Sequence, residues 1–238
     1  MAISKVGFRI YEDFDRPDPE LVEAFRGIPS SNINDMMNRL YCMDAGISPL
    51  NSFESMVGVA FTVKAPIGDN LIFHRALDLA KPGDILIVDG ARAEDRSLAG
   101  EIMMTFAEKK GLAGIVVDGA LRDLDGIRNL SIPVYARAVT PQGPFKNGPG
   151  EINVPVCCGG IAVLPGDIIV GDQDGIVVIR PEDAEEVLAV SREKFATETK
   201  KLNSYHETGI DAEAHAARIT EVLEKKKALS YSCAKKYC

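Results

Sequence analysis

Ile115-Val116-Val117-Asp118-Gly119-Ala120-Leu121-Arg122-Asp123 reads as an apolar strand that runs into a glycine turn and ends on an adjacent cation and anion. Open α/β sheets bind ligands at this edge, where strands end and the following helices point their free N–H groups. A second segment, Ala99-Gly100-Glu101-Ile102-Met103-Met104, also follows a strand and opens a helix, so its first backbone N–H groups are suited to a carboxylate. If the two strands are parallel neighbours, the clusters converge into an anion cradle beside two carboxylates, Glu101 and Asp123, with Arg122 between them. The same residues admit a purely structural account. Gly119 can be a turn glycine, Arg122 and Asp123 a surface ion pair or helix cap, and Glu101 a first-turn acid favoured by the helix dipole. Spacing alone leaves both readings open.

Working outward, the pattern predicts an α/β fold. Val57, Val59, Phe61 and Val63 alternate like a strand, and Ile72, Phe73, Ala76, Leu77 and Ala80 have helical spacing. Lys81-Pro82-Gly83-Asp84 is a turn before the apolar strand Ile85 to Val88. A helix from about Gly100 to Lys110, the strand quoted above, a short helix after Asp123 and a strand from Val134 to Val139 complete a β-α-β-α-β order, hence a partly parallel core. The turn recurs as Leu164-Pro165-Gly166-Asp167, followed by Ile168 to Val170 and Ile176 to Ile179, which hints at a weak internal duplication. Asp18 before Pro19 opens a helix through about Phe25, and a second follows Ser30. Pro181 begins a long amphipathic helix with Ala184, Val187, Leu188, Phe195 and Leu202 on one face, and a further helix spans about Ala212 to Lys226. The expected division is a helical segment over 1–50, an α/β catalytic core over 51–180, and C-terminal helices over 181–238 that suit subunit contacts. The tail lysines Lys225, Lys226, Lys227, Lys235 and Lys236 read as a solvated end.

Composition narrows the function. The 238 residues are 46% hydrophobic with a net charge of -8, enough for a sizeable core and the wrong sign for neutralising nucleic-acid phosphates. No apolar run suits a signal segment or a membrane span, so a cytoplasmic protein is expected. Cys42, Cys157, Cys158, Cys233 and Cys238 form no CxxC pair, and Cys157 and Cys158 read as small apolar residues packed at a strand end. His74, His206 and His215 lie far apart and form no HExxH pattern. Any metal here is expected to be bound by oxygen.

The stretches Gly68-Asp69-Asn70 with His74, Lys81 to Asp84, the helix start at Gly100, Asp118 to Asp123, the Ala138 to Gly143 loop, and Pro165-Gly166-Asp167 through Asp174-Gly175 together resemble the 4-hydroxy-4-methyl-2-oxoglutarate aldolase family, shared with the regulator of ribonuclease activity A. The resemblance covers roughly Asn32 to Asp211. It implies a swivelling β/β/α fold with helical extensions, assembly as homotrimers or homohexamers, and active sites between subunits. It further implies that Asp123 binds Mg²⁺ or Mn²⁺, and that Arg122 holds the substrate carboxylate or carbonyl oxygen. The backbone N–H groups of Gly100, Glu101, Ile102 and Met103 would bind the pyruvate carboxylate. Glu207, in Glu207-Thr208-Gly209-Ile210-Asp211, would be the acid that reaches the neighbouring subunit's metal-bound water; a solvated glutamate at a helix end is the structural alternative. The sequence departs from the family at Glu101, where the aldolases resemble Gly-Asp, and the extra methylene shifts that carboxylate.

The activity implied is a metal-assisted retro-aldol cleavage of a small 2-oxo acid to pyruvate, with the base a metal-associated water connected to Glu101, and with oxaloacetate decarboxylation through the same enolate. The alternative is a metal-independent interaction module like the ribonuclease regulators, which lack the aspartate that follows the arginine. Methyl transfer has no glycine-rich cofactor loop to support it. A Schiff-base mechanism on Lys64 or Lys81 would rest on a lone lysine.

Overall fold

The computed structural model describes residues 4–226; Lys227, Lys235, Lys236, Cys233 and Cys238 lie outside them. The elements in chain order are α1 (Pro19–Glu23), α2 (Ser30–Met36), β1 (Ser48–Pro49), β2 (Met56–Lys64), α3 (Leu71–Leu79), β3 (Asp84–Ala99), α4 (Glu101–Lys109), β4 (Gly114–Leu121) and α5 (Leu124–Ile127). There follow β5 (Val134–Val139), β6 (Glu151–Ile152), β7 (Val156–Cys158), β8 (Ile161–Val163), β9 (Ile168–Gly171), β10 (Ile176–Ile179), α6 (Ala184–Thr208) and α7 (Ala212–Lys225). Of the described residues, 4–195 form one compact unit and 196–226 a second. In the second, α7 has no buried residue.

Each of β2, β3 and β4 is followed by a helix that carries the chain back to the start of the next strand, which makes the neighbours parallel. The sheet runs β1-β5-β4-β3-β2-β9-β10, with β6 paired to β2, and the strands outside the parallel group are antiparallel. Alternate residues on neighbouring strands feed opposite layers. Leu86, Val88, Ile115 and Val117 pack against Phe73, Leu77, Met104 and Ile127 of the crossover helices. Ile85, Ile87 and Val116 face Val156, Cys158 and Val163 of the β7–β8 ribbon. A third layer joins Phe25 and Ile33 of the N-terminal segment and Val187 and Leu188 of α6 to Val57, Ile168, Val170 and Ile179. Burying an aliphatic side chain of this kind contributes about 1.5–3 kcal/mol, and these layers hold the strand ends in place.

Three sequence expectations need adjustment. The alternation in β2 suggests one wet face, yet every residue from Met56 to Val63 is buried except the half-buried Val59, because both faces of the sheet are covered. The strand expected over Ile85 to Val88 extends through a polar stretch to Ala99, with Ala91 and Arg92 at positive φ and register shifts against β4. Such bulges carry polar, exposed residues that hydrophobic periodicity does not register. Cys158 is buried as expected of a packed thiol, whereas Cys157 is exposed.

The two similar turns behave alike. Asp84 accepts the Lys81 N–H at 2.8 Å and Asp167 accepts the Leu164 N–H at 2.7 Å. Each is also paired with an arginine, Arg16 and Arg180 respectively. Lys81 therefore belongs to a structural turn at the start of β3, away from the strand ends where the candidate site forms.

Candidate active site

The pairing of β3 with β4 brings the two predicted clusters together. Ala99 stands opposite Leu121, and the Arg122 N–H donates to the Ala99 carbonyl at 3.0 Å. The chain then turns sharply. Asp123 takes the left-handed conformation, φ 60° and ψ 44°, which aspartate tolerates better than most residues, and its side chain does not cap α5. Its carboxylate turns instead toward the start of α4, where Oδ2 accepts the Glu101 N–H at 3.3 Å. Gly100 permits this approach, because a Cβ there would collide with Asp123 Oδ2 and stand 2.9 Å from Arg122 Cγ.

Arg122 Nε lies 3.5 Å from Asp123 Oδ2, an ion-pair separation. That Nε is nevertheless a buried atom without a hydrogen-bond partner. Gly143 lets the guanidinium pass, since a Cβ there would stand 2.8 Å from Nη1. Gly143 is itself fixed by Arg96, which donates to its carbonyl at 2.6 Å, and by Ser97, whose N–H and hydroxyl both reach the Gln142 carbonyl at 2.8 Å.

A cavity of about 220 Å³ opens beside these groups, lined by Asn70, His74, Ala99, Gly100, Ile102, Met103, Arg122, Asp123, Gly143, Pro144 and Lys146. Gly100, Ile102, Met103, Arg122 and Asp123 of the predicted set thus meet at one place. Glu101 does not line it; its carboxylate lies against Gly126 on α5. Two of the cradle N–H groups already have acceptors, since Glu101 donates to Asp123 and Met103 to the Gly100 carbonyl at 3.1 Å. Glu207 is exposed, next to the end of α6 in the second compact unit. Lys64, at the end of β2, is exposed and does not line the cavity either.

Three further lining groups, Asn70, His74 and Lys146, are residues to which the sequence reading assigned no role. Asn70 precedes α3 and is buried, with Oδ1 unpartnered, and His74, one turn on, has a buried, unpartnered Nε2. Lys146 arrives on the loop after β5, which is zipped to the Gly68–Asn70 segment: Phe145 N–H donates to the Gly68 carbonyl at 2.8 Å, and Asn70 N–H to the Phe145 carbonyl at 3.0 Å. Asp69 clamps the junction by accepting the N–H groups of Leu71, Asn147 and Gly148. Burial alone would raise its pKa, but those three donors together hold it below the ordinary aspartate value. For His74, burial and then the nearby Lys146 push the pKa down, against a smaller opposing pull from Asp78. The only signals for these groups were Gly68-Asp69-Asn70 and His74 themselves; Lys146 lies on a loop without periodicity.

Asp118, on the same strand as Asp123, serves another purpose. Its Oδ1 accepts from Arg137 Nε at 2.5 Å and its Oδ2 from the Gly159 N–H at 2.8 Å, both inside the protein. Arg137 also bridges to Asp44, and these carboxylates hold the guanidinium pKa well above its usual value.

Comparison with known proteins agrees with this architecture. The RraA-like family model, described as Aldolase/RraA, matches residues 30–178. A protein of Halalkalibacterium halodurans that carries the provisional name 4-hydroxy-4-methyl-2-oxoglutarate aldolase is 40% identical over 177 residues, 74% of this chain and 84% of that protein. An uncharacterized protein from Pseudomonas syringae superposes with a TM-score of 0.72 at 24% identity, covering 83% of this chain and 97% of that one, and so shares the fold. The RNA-processing inhibitor RraA of Thermus superposes with a TM-score of 0.60 at 29% identity, covering 64% of this chain and 92% of the other.

Proposed function

The chain belongs to the RraA-like, Aldolase/RraA family, and from that premise we propose that it is a divalent-metal-dependent lyase. It cleaves 2-oxo acids of the 4-hydroxy-4-methyl-2-oxoglutarate type to pyruvate and decarboxylates oxaloacetate, acting in the cytoplasm as a homotrimer or homohexamer. The observation that carries the reading is Asp123, a carboxylate held at a cavity mouth with side-chain exposure of 45% and only one long hydrogen bond, beside an arginine whose Nε has no hydrogen-bond partner.

These residues suit Mg²⁺ or Mn²⁺. Such an ion keeps several waters and needs one or two carboxylates together with substrate oxygens, not a complete protein cage. That fits a cavity whose lining carboxylate is Asp123, with room beside it for a ligand. Asp123 would hold the ion, and Glu207 of a neighbouring copy would act on its water. When bound, the ion supplies a positive charge that polarises the 2-oxo group.

The chain's own groups do the rest. Arg122 pairs with the substrate's carboxylate or carbonyl oxygen and stabilises negative charge as it develops there. The start of α4 orients the pyruvate carboxylate through its N–H groups and the positive end of the helix dipole. Met103 and Ala99, both buried, close the inner side of the cavity with apolar surface and strengthen those charge interactions.

The test is pyruvate release from oxaloacetate and from 4-hydroxy-4-methyl-2-oxoglutarate, with Mg²⁺ or Mn²⁺ and with a chelator. Release should vanish on chelation and fall about 10³-fold in Asp123→Asn, which keeps the left-handed backbone and removes the charge. Release indifferent to both changes defeats the proposal. A second reading, a metal-independent ribonuclease-regulator-like interaction module, is favoured by the likeness to the Thermus inhibitor. Capture of a ribonuclease by a chain that makes no pyruvate would select it.

A further inference from the structure

Resting on the lyase reading above, we propose that Arg96 is a positioning residue for the reaction: it holds the loop after β5 against β3, so that Gly143 keeps the Arg122 guanidinium aimed at the substrate's carboxylate or carbonyl oxygen. The polar stretch that prolongs β3 supplies the device. Ala93 stands opposite Gly119 and Ser97 opposite Ala120, so Glu94, Asp95 and Arg96 are extra residues on the β3 side. Bulges re-aim side chains beside active sites. This one delivers Arg96, half-buried, and Ser97, buried, to the loop after β5.

The Arg96 guanidinium engages three residues of that loop. Nη1 donates to the Gly143 carbonyl at 2.6 Å, and the group lies 4.3 Å over the centre of the Phe145 ring. With the Gln142 amide turned so that both its ends are satisfied, Nη2 donates to the Gln142 side-chain oxygen at 2.5 Å, and the Gln142 nitrogen donates to the Asp95 carbonyl at 2.7 Å. The stem packs on Gly68, where a Cβ would collide with Arg96 Cδ. A planar guanidinium fork serves two acceptors and a ring at once, which a lysine ammonium does not.

Gly143 is where this network meets the site. A Cβ there would stand 2.8 Å from Arg122 Nη1, so the loop backbone forms one side of the slot in which that guanidinium rests. Gly143 and Pro144 line the cavity and Arg96 does not, so Arg96 acts through the loop and not on the substrate. The tether between Arg122 and its neighbour on β4 is weak, a 3.5 Å ion-pair contact with Asp123 and no hydrogen bond at Nε. The wall at Gly143 therefore decides where the cation sits. A misplacement of about 1 Å can cost about 10²-fold in rate.

Arg96→Met keeps an apolar stem and removes the fork. It should lower kcat for pyruvate release about tenfold and, with Mg²⁺ present, weaken the binding of oxalate, a planar dianion shaped like the pyruvate enolate, about tenfold. In an Arg122→Met background, where no guanidinium is left to aim, the same substitution should change oxalate affinity less than about twofold. An equal loss in both backgrounds, or no loss in the first, would overturn the inference, while pyruvate release by the unaltered chain keeps the lyase reading intact. Should Arg96→Met fail to fold, Arg96→Lys carries the same cycle: one donor remains for the Gly143 carbonyl, the expected loss is about threefold, and the same two results overturn it. An unaltered chain that releases no pyruvate overturns both.

Discussion

Asp118 and Asp123 belong to the same short segment, yet they stand in opposite situations. Asp118 is 1% exposed and both of its oxygens receive strong donors, Arg137 Nε and the Gly159 N–H. Asp123 is half exposed and holds a single 3.3 Å hydrogen bond and a 3.5 Å ion-pair contact. A carboxylate whose lone pairs are saturated inside a protein fastens elements together, here β4 to β5 and to the turn after β7. One whose lone pairs are nearly free at a cavity mouth remains available to a cation or a substrate. Residue type says nothing of this difference; hydrogen-bond accounting does.

The largest effect should come from breaking the saturated member. Asp118→Ala leaves Arg137 buried with only Asp44, and chemical denaturation should show a loss of about 3–5 kcal/mol. Asp123→Asn should do the reverse, abolishing most pyruvate release while shifting stability by no more than about 0.5 kcal/mol. If the two variants lose stability equally, the contrast is false. Gly100→Ala sharpens it, because the new Cβ displaces the Asp123 carboxylate without touching Asp118. Activity should fall about tenfold or more, and the melting temperature only slightly. The smallest effect is one of pH. The Asp69 pKa is depressed on folding, so its contribution is fully present above the ordinary aspartate value of 3.8 and is lost as pH falls through the lower folded value. Hydrogen exchange should then show the Phe145, Asn147 and Gly148 amides losing protection while those of β4 keep theirs.

Several parts of this arrangement were readable in advance. The β4 stretch and the strand Val134–Val139 are mostly apolar, each interrupted by one charged residue, Asp118 and Arg137, and the helix start at Gly100 is marked by the glycine and the acid after it. The convergence of Gly100 with Arg122 and Asp123 was conditional on parallel neighbours, and the β3–β4 pairing meets that condition. Glu101 shows the limit of the method. At the first turn of α4 it looks like a partner for Asp123, but the rotation of that turn places its carboxylate over Gly126. Periodicity along a helix indicates faces, not the direction of one side chain at its first residue.

The order of apolar runs and turn residues by itself determined that this chain makes a partly parallel α/β sheet with a charged strand end, since those patterns are local and repeat at the period of the element. Only the tertiary structure decided that Asn70, His74 and Lys146 line the same cavity as Arg122 and Asp123. They reach it through backbone bonds between segments far apart in the chain, and no local pattern carries that pairing.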